Sequence, residues 1–336
     1  MPTPLEPRRQ RSYFPRPALH IFLASCALLV SLTQAPLHAA DYPEKTVKIV
    51  VNFPPGGPLD IIARQVATRL NQTLKQSFVV ENVSGASGNI GAAQVARANP
   101  DGYVILMSLD TPFTMTPSLY PDTSVKFDDL RPLAVMGVTG STVATHPSLG
   151  VNSLKELIDK GRREPLTFAT AGNGSPGHFA ALMLADASGI KVNAIHYRGN
   201  APAVLALVSG EVQAGILGTA GLLPHIKAGK LKALAVAGNS RSSVLADLPT
   251  AAELGQAGLE VEFMFVAMVP AKTPDAVVTT LQKAIAEAVG QAEFQERMRA
   301  MDIAPWTLAG NAVAERLKKS RQSYADIVKR TGMKGD

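Results

Sequence analysis

Residues 47–64 read VKIVVNFPPGGPLDIIAR, and the reading of this stretch decides the fold class. VKIVVNF is a β-branched apolar run of strand length, and helical spacing of apolar positions begins at Asp60 and continues to about Lys75. Between the two, Pro54, Pro55 and Pro58 stiffen a loop in which Gly56 and Gly57 let a ligand approach the backbone. The alternation repeats outward. FVVEN (78–82) is a strand, a glycine-rich loop and a helix to Ala98 follow, and 103–108 is the next strand. A second series begins near Val143. Ser153 and Glu156 predict a capping box for a helix through Lys160. Strands are then expected at 166–170, 192–196, 212–217 and 232–237, with Pro202 as the first residue of an intervening helix. An apolar run at 262–269 leads to a helix start at Thr273-Pro274 and helical patterns through Ile327. Strands alternating with helices specify an α/β fold with parallel or mixed sheets.

The first forty residues are built differently. Arg8, Arg9, Arg11 and Arg16 precede an uncharged apolar run at 18–32, and small residues follow at Ala39 and Ala40. These are the three parts of a secretory signal peptide, expected over 1–40. The apolar run is shorter than the roughly 20 residues a membrane span needs. Leu23-Ala24-Ser25-Cys26 resembles a lipoprotein cleavage box, but the apolar run continues past the cysteine, which argues against lipidation; Arg8-Arg9 leaves twin-arginine export open beside the general route. Loss of the leader removes four arginines and one glutamate, which halves the formal net charge of +6. A mildly basic chain without Lys/Arg clusters carries no electrostatic footprint for nucleic acid. The one cysteine, Cys26, leaves with the leader, so disulfide, thiolate-metal and cysteine-nucleophile chemistry are excluded from the exported chain. The whole sequence is 46% hydrophobic and 18% charged, a globular balance, and what remains without the leader is longer than the 100 to 150 residues or so of one compact unit. Two lobes are therefore expected, with the last helices returning to the first.

Ligands of open α/β sheets lie beyond the carboxyl ends of the strands. Five loops there are unusual: 53–60; Ser84 to Asn89, rich in small residues; Asp110-Thr111; Gly172 to Gly177, which spells G-x-G-x-x-G before a helix; and Gly218 to Gly221. Together they describe a cleft lined by main-chain donors and hydroxyls, suited to an oxyanion with no buried cation beside it. Asp60 reads as support for its helix; His178 and Tyr197 read equally as ligand contacts or as satisfied core groups. The dinucleotide alternative needs an acidic residue about 20 positions beyond the glycines, and 190–200 holds none. Ser175 has Asn173 where a hydrolase elbow needs glycine, 53–60 lacks a phosphate loop's Gly-Lys-Ser/Thr, and His146, His178, His196 and His225 are too scattered for zinc.

VKIVVNFPPGGPLDIIAR, VVENVSGASGNIGAAQVARANPDGYVIL (79–106), TAGNGSPGHFA (170–180), YRGNAPA (197–203), PHIKAGKLKALAVAGNSR (224–241) and LPTAAELG (248–255) resemble, in order and spacing, the tripartite tricarboxylate transporter substrate-binding proteins, or Bug receptors. The resemblance implies a periplasmic two-lobed Venus-flytrap fold, type II-like, with two crossing segments: lobe 1 from 41–142 plus 267–336, lobe 2 from 143–266. It implies a monomer, not an enzyme, that closes on a small organic acid and presents it to the integral membrane subunits of a permease. No metal or cofactor is expected. The binding residues it implies are Phe53, Gly56, Gly57, Ser84, Ala86, Ser87, Ala171, Asn173, Gly174, Ser175, His178, Gly218 and Thr219; the strand-end loops add Asp110, Thr111 and Tyr197 as candidates, and the far end of the ligand is expected to be read near Asp110, Tyr197 and Thr219. The chain departs from the family pattern at Val83 to Gly88, at Ala194 to Gly199, at Ala206 in place of a frequent acid, and at Met264, flanked by Phe263 and Phe265, in place of a frequent tryptophan. Two other readings stay open: a sensor of the same fold that docks on a kinase, and an exported serine hydrolase using Ser175 and His178, for which no orienting acid is evident.

Overall fold

The computed structural model describes residues 42–120, 125–238 and 240–332; the expected leader and Cys26 lie outside them. Among the described residues no helix is long and apolar enough to cross a membrane.

Strand β1 (Val47–Val51) is buried at four of its five positions, as expected of a parallel strand covered on both faces. Helix α1 (Pro58–Leu74) starts with proline in its first turn, where a missing N–H costs nothing, and buries Leu59, Ile62, Ala63, Val66, Ala67 and Leu70 at helical spacing. Each fully buried Ile, Val or Leu contributes roughly 1.5–3 kcal/mol. The chain continues through β2 (Phe78–Asn82), α2 (Asn89–Ala96), β3 (Val104–Leu109), the short turns α3 (Thr111–Thr114) and α4 (Thr116–Leu119), and β4 (Leu130–Thr139). Next come β5 (Ser141–Thr145), α5 (Leu154–Gly161), β6 (Leu166–Thr170), α6 (Pro176–Ser188), β7 (Val192–His196), α7 (Asn200–Ser209), β8 (Ala214–Gly218), α8 (Thr219–Lys227) and β9 (Lys232–Ala237). The chain closes with β10 (Phe263–Pro270), α9 (Asp275–Val289), α10 (Ala292–Ala300), β11 (Ala304–Ala309) and α11 (Asn311–Thr331).

Two sheets form, ordered β11-β4-β10-β3-β1-β2 and β7-β6-β8-β5-β9. They share one plan. In each, three parallel strands (β2-β1-β3 and β7-β6-β8) are followed by one antiparallel strand that enters where the chain crosses between sheets: β10 between β3 and β4, β5 between β8 and β9. This is a two-lobed α/β architecture. The chain passes from β4 to β5 through Gly140 and returns through residues 238–262 to β10. The two crossings touch: a Cβ on Gly140 would lie 3.3 Å from the Ala237 carbonyl and 3.5 Å from Gly238 Cα.

Sheet membership refines the sequence reading. Residues 141–142 pair in the second sheet and 263–266 in the first. β10 is buried along its whole length, so no change of polarity marks where the chain leaves one sheet for the other. Three further differences are local. Helix α7 opens at Asn200, so Pro202 is its third residue, still within the turn whose N–H groups have no helical partner. The Ser153 hydroxyl accepts the Glu156 N–H at 3.2 Å, but Glu156 reaches back to the Asn152 N–H at 2.8 Å, one residue before the cap. Strand β11 interrupts the run read as helical to Ile327.

Candidate functional site

Four helices begin at one cavity. Gly57, Pro58 and Leu59 at the start of α1, Ser175, Pro176 and Gly177 at the start of α6, Asn200 and Ala201 at the start of α7, and Gly218 before α8 all line a cleft of about 740 Å³ counted to its open mouth. Topology brings them together, because each helix follows the carboxyl end of a parallel strand of its sheet. No side chain caps the first turn at Gly57, Gly199 or Gly218. Only Ser175 caps its own helix, accepting the His178 N–H at 3.3 Å. First-turn amides and the positive ends of four helix dipoles therefore favour negative charge here. No lining residue is Asp, Glu, Lys, Arg or His, so main-chain donors and the hydroxyl or amide groups of Ser141, Ser175 and Asn200 supply the polarity.

The loop at 53–57 is fixed from beneath. Asp60 is buried; its Oδ2 accepts the Gly56 N–H and Arg64 Nε–H, both at 3.0 Å, and its Oδ1 accepts Asn82 Nδ2–H at 3.0 Å. Asn82 also donates to the Phe53 carbonyl at 3.1 Å. Burial pushes the Asp60 carboxyl up, but the bonds from Arg64, Gly56 and Asn82 outweigh it and hold the pKa below the ordinary carboxylate value. The Gly56 amide, expected at the ligand, is engaged by Asp60 instead. Replacing Asp60 with Ala is expected to cost about 1–2 kcal/mol in denaturant unfolding and to weaken ligand binding roughly ten-fold by freeing the loop. Unchanged affinity by calorimetry would show that the loop holds its shape without this carboxylate.

A second cleft lies outside the first. Ser84, Ala86, Ser87, Asn173, His196, Tyr197 and Arg198 line it, and it shares Phe53, Pro54 and Ala171 with the inner cavity. Ala86 and Ser87 sit at φ +46° and +51°, a conformation that costs residues with a Cβ about 1–2 kcal/mol. In that conformation the Ser87 hydroxyl donates to the Asn173 carbonyl, and Tyr120 Oη donates to Asn173 Oδ1. Thr116 Oγ1 donates to the Gly174 carbonyl at 3.4 Å. Three side chains of the first lobe thus hold the 172–174 turn of the second. Gly174 needs φ +71° there, and a Cβ on it would meet Thr116 and Tyr120 at 3.3–3.4 Å.

Of the residues singled out from sequence, Phe53, Gly57, Ala171, Ser175 and Gly218 line the inner cavity, and Ser84, Ala86, Ser87, Asn173 and Tyr197 the outer cleft. Asp110, Thr111, Gly174, His178 and Thr219 line neither. Asp110 is fully buried: Oδ1 accepts the Met264 N–H at 2.7 Å and Oδ2 the Thr114 hydroxyl at 3.0 Å. Thr111 is buried beside it at the start of α3, and Thr219 pairs its hydroxyl with Thr142 at 2.8 Å, tying α8 to β5. His178 Nδ1 accepts the Gly174 N–H at 3.0 Å, and its ring packs edge-on against His196 with centroids 4.6 Å apart. The Tyr197 hydroxyl donates to Glu211 at 2.6 Å. Burial and that carboxylate push its pKa up to about 12. The side chains of Asp110, Thr219, His178 and Tyr197 are thus engaged with protein partners, a distinction that sequence cannot draw. Conversely, Pro54, Leu109, Asn200, Leu217, Phe263 and Phe265 line the cavity and were not singled out. The one available signal was period-2 alternation, which turns Phe263 and Phe265 to one side of β10 while Met264 enters the first lobe's core.

The chain matches the family model of the tripartite tricarboxylate transporter family receptor over residues 62–333. It belongs to that family. It is similar to Protein BugT of Bordetella pertussis, 32% identical over 94% of this chain and 96% of that one. Among solved structures, the chain is similar to periplasmic binding protein BugD, with a TM-score of 0.82 and 34% identity over 87% of this chain and 99% of that one. It is also similar to an R. palustris protein solved with adipate, with a TM-score of 0.82 and 29% identity over 87% and 98% of the two chains. The family is one of periplasmic solute-binding receptors. Ser175 Oγ acts as a helix cap and His178 Nδ1 accepts a backbone amide, contacts that organise this turn.

Proposed function

We propose that this protein is an exported receptor that captures a small organic carboxylate in the inner cavity and delivers it to a tripartite tricarboxylate-type permease. The observation that carries this reading is the convergence of four helix N-termini on one cavity without a charged lining side chain. Such a site stabilises an oxyanion by preformed amide donors and leaves no cation behind when the ligand departs. The lobes are proposed to divide at Gly140 and within residues 238–262, where the crossings touch and a rotation would open the cleft. Ligand would then shift an open-to-closed equilibrium through contacts made to both lobes only when they meet. The turn at 172–174, gripped by Ser87, Thr116 and Tyr120, belongs to the closed side of that equilibrium. The exported location follows from the leader read in the sequence and from the family.

The test is thermal unfolding of purified protein, freed of carried-over ligand and checked by mass spectrometry, against a panel of organic acids. A ligand at 100 times its Kd stabilises the fold by about 2.7 kcal/mol, which raises the Tm of a chain this size by roughly 5 °C. A shift with some acids and none with their amides is expected. No shift with any acid removes the carboxylate reading.

A further inference from the structure

Apart from main-chain groups and the polar side chains of Ser141, Ser175 and Asn200, the inner cavity is lined by apolar residues. Phe53, Leu109, Phe263 and Phe265 are among them. The rings of Phe263 and Phe265 lie 6.0 Å apart and tilted, a surface that fits a flat ring or a methylene chain. The cationic Arg198 lines only the outer cleft, where it is exposed. Phe53 and Pro54 stand between the two spaces, and Gly199 packs so closely on Pro54 that an added Cβ would lie 3.0 Å from the ring. A second carboxylate on the ligand would leave water for a cavity whose lining holds no cationic side chain to receive it, which is unfavourable.

We infer that the ligand is a monocarboxylate with an apolar body, an aryl ring or an alkyl chain, its carboxylate at the helix starts and its body against Phe263, Phe265 and Leu109. The inference rests on the carboxylate-receptor reading and specifies what lies beyond the anion. Specificity then comes from β10, the crossing strand. A hydroxylated or doubly charged acid is then rejected by desolvation and not by a clash.

Calorimetry with five probes decides: hexanoate, phenylacetate, adipate, malate and hexanamide. Hexanoate and phenylacetate are expected to bind at least 30-fold tighter than adipate and malate, and hexanamide not to bind measurably. A gain-of-function variant adds an independent arm. Leu109 is only partly buried at the end of β3, so Leu109→Arg places a cation at the apolar wall and is expected to move the hexanoate-to-adipate preference at least ten-fold toward adipate. Tight binding of adipate or malate with weak binding of hexanoate and phenylacetate would overturn the inference while leaving a carboxylate receptor. Failure of all four acids to bind folded, ligand-free protein, or equal binding of hexanamide and hexanoate, would overturn the carboxylate reading and the inference with it.

Discussion

Gly177→Ala is expected to destabilise the protein by at least about 3 kcal/mol and to abolish ligand binding. A Cβ built on Gly177 would lie 2.0 Å from the Ile216 carbonyl oxygen. That atom is backbone in β8, paired in the middle of the second sheet, so no flexible side chain can swing away. Either α6 must lift from the sheet or β8 must bend. The first opens the core beneath Phe179, Ala180 and Leu184, all of which are fully buried, and displaces the helix start that lines the cavity. Overpacking of this kind commonly costs 1–3 kcal/mol and more when backbone is the obstacle. Helix propensity acts in the opposite direction, since Ala is better than Gly by up to about 1 kcal/mol. The sign of the measured change therefore separates the two effects. Urea unfolding followed by circular dichroism measures it; a variant within about 1 kcal/mol of the parent would show that α6 and β8 are not in this contact.

The second large effect is a pH dependence that one substitution should remove. Burial pushes the Asp110 carboxyl up to about 6, and the bonds from Met264, Thr114 and its own amide, with the charge of Arg316, hold it down only in part. In the unfolded chain the group titrates near its ordinary value of 3.8. Folding therefore favours the protonated form. The stability this group contributes is complete below about pH 4 and is lost as the pH rises through 6. A difference of about two pKa units corresponds to about 3 kcal/mol. Asn at position 110 keeps an oxygen for the Met264 N–H and imitates the protonated acid without titrating. Asp110→Asn is thus expected to gain about 3 kcal/mol relative to the parent between pH 4 and pH 8. Measuring both proteins across that range cancels the other titrating groups; parallel stability curves would remove Asp110 as the cause. Since Met264 follows Phe263 and precedes Phe265 on β10, this buried acid also sets the position of the strand that lines the cavity.

Much of this could be read from residue order. Local chemistry writes the strand and helix pattern directly: VKIVV can only be a covered strand, Pro58 and the apolar spacing after it make α1, and Ser153 and Ser175 cap the helices they precede. The same locality places the loops at strand ends and thereby names half of the cavity, from Phe53 and Gly57 to Ala171, Ser175 and Gly218. The order of motifs also reads as the receptor family and its two lobes.

Tertiary structure alone decided the rest, because it depends on contacts between residues far apart in the chain. Asp110 looks like a cleft carboxylate until the Met264 amide, 154 residues away, is found on it. Tyr197 looks like a ligand reader until Glu211 takes its hydroxyl. Phe263 and Phe265 look like core until the crossing strand turns that face of β10 into the wall of the cavity. Sequence records which groups can donate, accept or avoid water. Only the packed chain determines which partner each one meets, since a polar side chain is available to a ligand only where no nearer group has satisfied it.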